Sequence, residues 1–374
     1  MTAAQKSGVR VLLVTPNLET NSTGRTYCLW LLAKHLGWTT RAVAVRGRKV
    51  WDPLAGTAFE HDCRFLSLLA PGELTSELEA LVDWADVVIA VKPMPDSFGL
   101  AMPLAAAAAR PLLLDIDDPD IEARTDWLSL SERLRGRIRH PLGYPRDYRQ
   151  LLALKEAAQD YSVIVSNPTL QDIYGGALVP HVREEVPAPG YGDSTAPLVR
   201  FVGSAKTHKG VELLRRSVGR LSSQGYRLEI TADPPADAAP WERWVGKTTF
   251  AAGQELVAGA DIIALPSLPG SWSRAQLPVK LVDAMMLGRP TVASDVAPMR
   301  WALGGTGILF PPGDGDGLTA ALRALSQPAE RIRYGEATRE RALAMFAVGA
   351  VAPTFDTAVR EVLTKPGKSR VRNA

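Results

Sequence analysis

Short apolar runs recur along this sequence, each closed by a polar turn and followed by apolar residues at helical spacing. The first is Val11-Leu12-Leu13-Val14, within residues 9–15. A polar turn spans 17–24, helix-spaced residues fill 26–36, and 41–45 is the next apolar run. Runs that are apolar throughout suit strands covered on both faces, and intervening helices are what joins parallel strands. The same reading places strands at 86–91, 111–116 and 162–166, with helices at 98–109 and 151–159. It predicts a doubly wound parallel sheet.

The pattern stops at 184–197, EEVPAPGYGDSTAP, which holds three prolines and two glycines and no period. It then restarts, with strands at 198–202, 227–231, 261–265 and 291–293 and helices at 210–222 and 279–287. A chain of 374 residues is long for a single core. We therefore expect an α/β protein of two Rossmann-like domains, 1–185 and 198–345, joined by a linker at 186–197. Two such domains facing each other would leave a cleft at the carboxyl ends of their strands, where open parallel sheets take ligands. The last helices are expected from about 328 to 363, and 365–374 reads as a basic tail.

Several function classes are set aside by composition. A formal net charge of +3 supplies no global field for nucleic acid. Cys28 and Cys63 are the only cysteines and lie far apart, which argues against a disulfide framework and fits a reducing compartment. Residues 1–10 are polar and lead straight into the first strand, without the apolar stretch of a signal peptide. The longest apolar stretch, 98–114, is interrupted by Arg110 and Pro111 and falls short of a membrane span. The expected setting is the cytoplasm, with peripheral contact at the inner membrane face left open. Residues 133–149 carry six arginines, among them Arg133, Arg135, Arg137 and Arg139. A solvated basic face, an anionic acceptor and a contact with acidic lipid all fit this segment.

The most specific stretch is 276–294, QLPVKLVDAMMLGRPTVAS. Pro278 suits the first turn of a helix, where its missing N–H would be unpaired anyway. The free N–H groups of that turn, Val279's among them, and the positive end of the helix dipole form an anion site. Lys280 lies close to it, and Asp283 follows three residues on, where a carboxylate could accept two hydroxyl bonds from a ribose diol. Gly288 then ends the helix and Pro290 opens the next strand.

This segment resembles the donor-binding signature of retaining glycosyltransferase family four, whose architecture is two Rossmann domains (GT-B). The signature is an acid, seven residues, a second acid, then Ala-Met, Gly, Pro and a short strand. Asp283 matches the second acid, which in the family holds the donor ribose. The first acid would fall at Ala275, with Gln276 the nearest polar neighbour. Residues 201–214, FVGSAKTHKGVELL, resemble the family's strand–Gly–Arg…Lys-Gly element. Lys209 matches the lysine that neutralises donor phosphate, and Ser204 stands at the arginine position with Lys206 nearby. Residues 166–170, 180–184 and 304–314 follow in the family's order.

In the N-terminal half, 17–24 takes the place of the glycine-rich loop that meets the donor phosphates. Gly24 is its single glycine, with Asn21, Ser22 and Thr23 as polar neighbours. The run Asp115-Ile116-Asp117-Asp118-Pro119-Asp120 aligns with a cleft-facing histidine of many members. Asp117 and Asp118 are the candidate catalytic residues, placed to orient an acceptor hydroxyl or take its proton. Helix capping and loop solvation would account for these acids equally well. If buried, they should raise one another's pKa.

The resemblance implies transfer of a sugar from a nucleotide diphosphate donor, a UDP-sugar ahead of a GDP-sugar, to an acceptor hydroxyl with retention of configuration. Lys209, Lys280 and the helix start near Pro278 would stabilise the departing diphosphate. No metal or other cofactor is implied. The acceptor could be a saccharide, a lipid-linked group or a small molecule. Residues 346–374 would supply a helix crossing back to the N-terminal domain. The Ala275 and Ser204 departures keep two other readings in play: a nucleotide-sugar epimerase of the same architecture, and a non-catalytic binder of sugar nucleotides or carbohydrate.

Overall fold

The computed structural model describes residues 8–66, 71–128, 130–131, 134, 144–193 and 195–364. The chain forms two compact units, one of Met1–Pro180 with Val351–Ala374 and the other of His181–Ala350.

The first unit carries seven strands: β1 Arg10–Val14, β2 Thr39–Ala44, β3 Cys63–Phe65, β4 Val87–Val91, β5 Leu112–Ile116, β6 Ser162–Val165 and β7 Ala177–Leu178. They pair in the order β3-β2-β1-β4-β5-β6-β7, and every pairing is parallel. All five residues of β4 and of β5 are buried, as a strand covered on both faces requires. The helices are α1 Thr23–His35, α2 Ala58–His61, α3 Pro71–Trp84, α4 Leu100–Ala107, α5 Tyr144–Ala157 and α6 Pro168–Tyr174. The expected helix at 98–109 is split: a wide turn covers Pro95–Gly99 before α4 begins. Pro103 lies inside α4 and has no N–H to give the carbonyl four residues back, at Gly99.

The second unit has six strands: β8 Leu198–Phe201, β9 Arg227–Ile230, β10 Glu242–Trp244, β11 Ile262–Leu265, β12 Thr291–Ser294 and β13 Ile308–Phe310. Their order is β10-β9-β8-β11-β12-β13, again parallel throughout. Its helices are α7 Val211–Gly219, α8 Phe250–Ala258, α9 Val279–Met286, α10 Ala297–Leu303, α11 Gly315–Ala324 and α12 Pro328–Phe346; a last helix, α13, spans Val348–Thr364. Successive residues of a strand face opposite sides, and the core follows that rule. Ile262 and Ala264 of β11 join a cluster with Leu214 and Val218 of α7. Ile263 and Leu265 join another with Leu281 and Met285 of α9. Each fully buried leucine or methionine contributes roughly 1.5–3 kcal/mol, so α9 is fixed to its face of the sheet mainly by packing.

Each sheet reverses its strand order once. In the first the chain moves outward from β1 to β3 and returns to place β4 on the other side of β1. In the second it moves from β8 to β10 and returns to place β11 beside β8. At such a switch point two adjacent loops leave the strand ends in opposite directions and open a crevice. Among the described residues no helix is long and apolar enough to cross a membrane.

Candidate functional site

The second unit's switch point gathers the signature residues. The loop after β8 runs through Gly203 and Ser204 to a short 3-10 turn, Thr207–Lys209, and into α7. The loop after β11 runs from Pro266 to Pro278, which caps α9 in an extended conformation, and the helix starts at Val279, as expected. The two loops are held closely together. Leu268 N–H donates to the His208 carbonyl at 2.9 Å. Gly210 adopts a left-handed φ of +71°, and a Cβ there would stand 1.9 Å from the Pro266 carbonyl oxygen. Only glycine permits that approach.

Across this junction Lys209 Nζ donates to Gln276 Oε1 at 2.8 Å. Gly203 comes near Lys280, whose Cγ would be 4.0 Å from a Cβ built on the glycine. Ser204 and Lys206 are exposed on the loop, and Gln276, Pro278, Val279 and Lys280 are half-buried. Ala275 is fully buried, so a packed methyl stands where the family signature has an acid.

Asp283 lies inside α9 with no exposure. Its Oδ1 is 2.6 Å from Arg183 Nε and its Oδ2 is 2.9 Å from Lys280 Nζ. Burial alone would push this carboxyl up; Arg183 and then Lys280 outweigh that and hold it far below the usual carboxylate range. Both cations also approach the Phe250 ring, at 5.4 Å for Arg183 and 6.0 Å for Lys280 from its centre. Arg183 is in turn fixed by its backbone, which accepts from Val348 N–H and donates to the Phe346 carbonyl. In the sequence Arg183 stands just ahead of the expected linker; the structure makes it the partner of the signature acid.

The remaining candidates belong to the first unit. Gly24 lies in the first turn of α1, with nothing within 4 Å of a Cβ built on it. The hydroxyls of Ser22 and Thr23 donate to the Asn17 and Leu18 carbonyls, which shapes the loop after β1. Asp117 and Asp118 follow β5, and their companion is a residue the sequence did not single out. Lys92 follows β4 directly, is 5% exposed, and places Nζ 2.7 Å from Asp117, 3.0 Å from Asp118 and 2.8 Å from Asp120. Burial, then the charges of Asp118 and Asp115, raise the Asp117 carboxyl to about 7 against the opposing pull of Lys92. Burial would lower the Lys92 ammonium, but the three carboxylates hold it well above its ordinary value. The carboxyl oxygens of the three acids lie within 4.8 Å of one another, a spacing that could also hold a metal ion. Beneath them Arg25 of α1 is fully buried, with Nη2 2.6 Å from Asp115 and bonds to the Val179 and Pro180 carbonyls.

A cavity of about 570 Å³ lies at the other edge of this sheet, lined by Leu113, Val163, Ala177 and Ala358 among others. It is at the amino ends of β5 and β6 and away from these loops. Arg133, Arg135, Arg137 and Arg139 lie outside the described residues.

Two parallel Rossmann-like sheets of seven and six strands, each with polar residues collected at its switch point, define a GT-B-like fold. Solved structures agree. Sucrose-phosphate synthase from Thermosynechococcus elongatus matches with a TM-score of 0.66 at 16% identity, over 95% of this chain and 99% of that one. HepE from Anabaena, solved in complex with UDP and glucose, matches with a TM-score of 0.71 at 13% identity, over 94% and 100%. A glycosyltransferase from Rickettsia africae matches with a TM-score of 0.64 at 12% identity, over 96% and 100%. At such identities the likeness speaks for the fold. No curated protein matches the sequence. Residues 196–327, which contain both loops of the second switch point, match the family of group 1 glycosyl transferases. Over that stretch the second unit is similar to the group 1 glycosyl transferases.

Proposed function

We propose that this chain is a glycosyltransferase, which takes its sugar from a nucleotide diphosphate donor bound at the β8–β11 switch point and passes it to an acceptor hydroxyl with retention of configuration. The observation that carries the donor reading is the meeting of Lys209, Gln276 and Lys280 at the start of α9. A diphosphate needs cations and N–H groups once water is excluded, and these residues supply both. Lys280, at 23% side-chain exposure, can turn toward the diphosphate. That movement would free Asp283 Oδ2 for a ribose hydroxyl while Arg183 keeps the carboxylate charged. Ser204 and Gln276 are then the neighbours of the phosphates and sugar, and Asp117 and Asp118 serve the acceptor.

A UDP-sugar is favoured over a GDP-sugar because HepE is solved with UDP and with UDP-glucose. The acceptor would be saccharide, lipid-linked or small, with Arg133, Arg135, Arg137 and Arg139 attracting an anionic acceptor or an acidic leaflet at the cytoplasmic face. Liposome flotation tests that last point, and equal recovery with neutral and anionic vesicles would remove it.

The central test is calorimetric titration with UDP, GDP, ADP and their glucose conjugates. Binding of UDP-glucose, weakened in Lys209→Ala and in Asp283→Ala, is expected. Equal affinity in both variants would move the donor site elsewhere.

A further inference from the structure

Lys92 is built into the first unit in an unusual way. It adopts a left-handed φ of +70°, a conformation that strains the backbone of a non-glycine residue. Its backbone is pinned on both sides: N–H donates to the Asp115 carbonyl at 2.8 Å, and its carbonyl accepts from Met94 N–H and Ser97 Oγ. The strained turn sends the side chain across the carboxyl ends of β4 and β5 rather than out to water. Its ammonium donates to Asp118 Oδ2 at 3.0 Å and to Asp120 Oδ2 at 2.8 Å, and forms an ion pair with Asp117 Oδ1 at 2.7 Å. The three acids differ in exposure. Asp117 and Asp120 side chains are 6% and 7% exposed, whereas Asp118 is 20% exposed. Asp120 is further held by Arg124, 3.1 Å from its Oδ1, and the Asp117 carbonyl accepts from Ser166 Oγ.

We propose that Lys92 is a positioning residue of the transfer reaction, a fixed internal cation that orients Asp117, Asp118 and Asp120 so that Asp118 meets the acceptor hydroxyl. This rests on the transferase reading of Asp117 and Asp118 above. As the acceptor oxygen bonds to the anomeric carbon, its proton passes to Asp118. The bond from that carbon to the diphosphate oxygen breaks, and the electron pair leaves with the diphosphate. Lys92 touches neither substrate; it holds the carboxylates in place and opposes the burial that raises the Asp117 carboxyl. The charged groups around Asp117 are Lys92 at the end of β4, Arg25 of α1, Asp115 of β5, and Asp118 and Asp120 of its own loop. Removing Lys92, which contacts all three acids, must therefore favour the protonated form of Asp117.

The test uses full-length protein, UDP-glucose as donor and water as acceptor, with UDP release followed from pH 5 to 9. In Lys92→Met, UDP-glucose affinity by calorimetry should stay within about twofold, while UDP release at pH 7 falls by about tenfold or more. The acid limb of the rate profile should move up by roughly one pH unit or more. Lys92→Arg, which keeps the charge and guards against misfolding of the methionine variant, should leave that limb in place and retain part of the rate. The carboxyl-carbon signals of aspartate-labelled protein should show the same upward movement of Asp117 in Lys92→Met, with or without turnover. Loss of rate with an unmoved profile and an unmoved Asp117 signal would make Lys92 merely structural and overturn the proposal. So would full turnover in Lys92→Met, or wild-type protein that binds UDP-glucose and releases no UDP. If no nucleotide binds at all, the donor reading fails first, and the Asp117 signal still decides whether Lys92 governs the acids.

Discussion

Asp283→Asn separates the electrostatic role of this residue from its packing, because the side chain keeps its size and loses its charge. In the wild type the carboxylate has no exposure and lies between Arg183, itself 10% exposed, and Lys280. Lys280 can turn to water; Arg183 is held by its backbone and stays. Removing one partner of a buried pair costs about 3–5 kcal/mol, and the mobility of Lys280 argues for the lower end. For a unit of this size each kcal/mol moves Tm by about 2–4 °C, so a fall of roughly 6–12 °C is expected in the transition of the second unit. The pH dependence has a definite sign. A carboxyl held below its unfolded value near 3.9 contributes fully above about pH 4 and loses that contribution as pH falls through the folded value. The gap between wild type and variant should therefore be constant from pH 8 to about 5 and close only in stronger acid. Scanning calorimetry at several pH values measures both. A variant that melts within about 2 °C of wild type at pH 7 would refute the assignment of Asp283 as the charge that holds Arg183.

Other consequences follow from the same geometry. Lys209→Ala should weaken UDP binding about ten- to a hundredfold, the worth of a charge-assisted bond, with little change in Tm; titration calorimetry reads it. Gly210→Ala should lower both Tm and UDP affinity, because a Cβ there would stand 1.9 Å from the Pro266 carbonyl oxygen and force the two loops apart. Asp117→Asn should lower UDP release more than UDP-glucose affinity; a pure loss of affinity would make it a binding residue. UDP release should survive EDTA, because the Lys92 ammonium already lies among the three carboxylates, and a rate that EDTA abolishes and Mn²⁺ restores would contradict that.

The strands of the two sheet cores were legible because buried parallel strands leave continuous apolar runs, as in β1, β4, β5 and β11. Edge strands were not. β3, β7 and β10 are three residues or fewer, and β10, Glu242–Trp244, has no apolar run at all. Two helices of the second unit, α8 and α11, went unread although each carries a side-chain cap: Thr249 accepts from Ala252 N–H, and Asp314 from Asp316 and Gly317 N–H. The loop residues Lys209, Gln276 and Lys280 stand out in the sequence because a signature orders them along the chain. Lys92 belongs to no such string, and the segment that holds Arg183 matches only in its order along the chain. Each is a lone basic residue whose partner is remote, twenty-five or more positions away for Asp117 and 100 for Asp283, and spacing along the chain carries no trace of that pairing.

The two units solve the same topological problem with opposite charge patterns. At the β8–β11 reversal the acid is buried inside α9, and cations line the loops above it, an arrangement suited to a polyanion. At the β1–β4 reversal the cation is buried beneath, and carboxylates surround it, with Asp118 the most exposed of the three. In both, the inner charge is what fixes the outer ones: Asp283 sets Arg183 and Lys280, and Lys92 sets Asp117, Asp118 and Asp120. Neither inner charge could be replaced by a neutral residue without leaving its partners uncompensated in a low-dielectric site, where unpaired charge costs several kcal/mol. A substitution at Asp283 should therefore disturb donor affinity and the second unit's stability together. A substitution at Lys92 should disturb turnover and its pH dependence while leaving donor affinity in place.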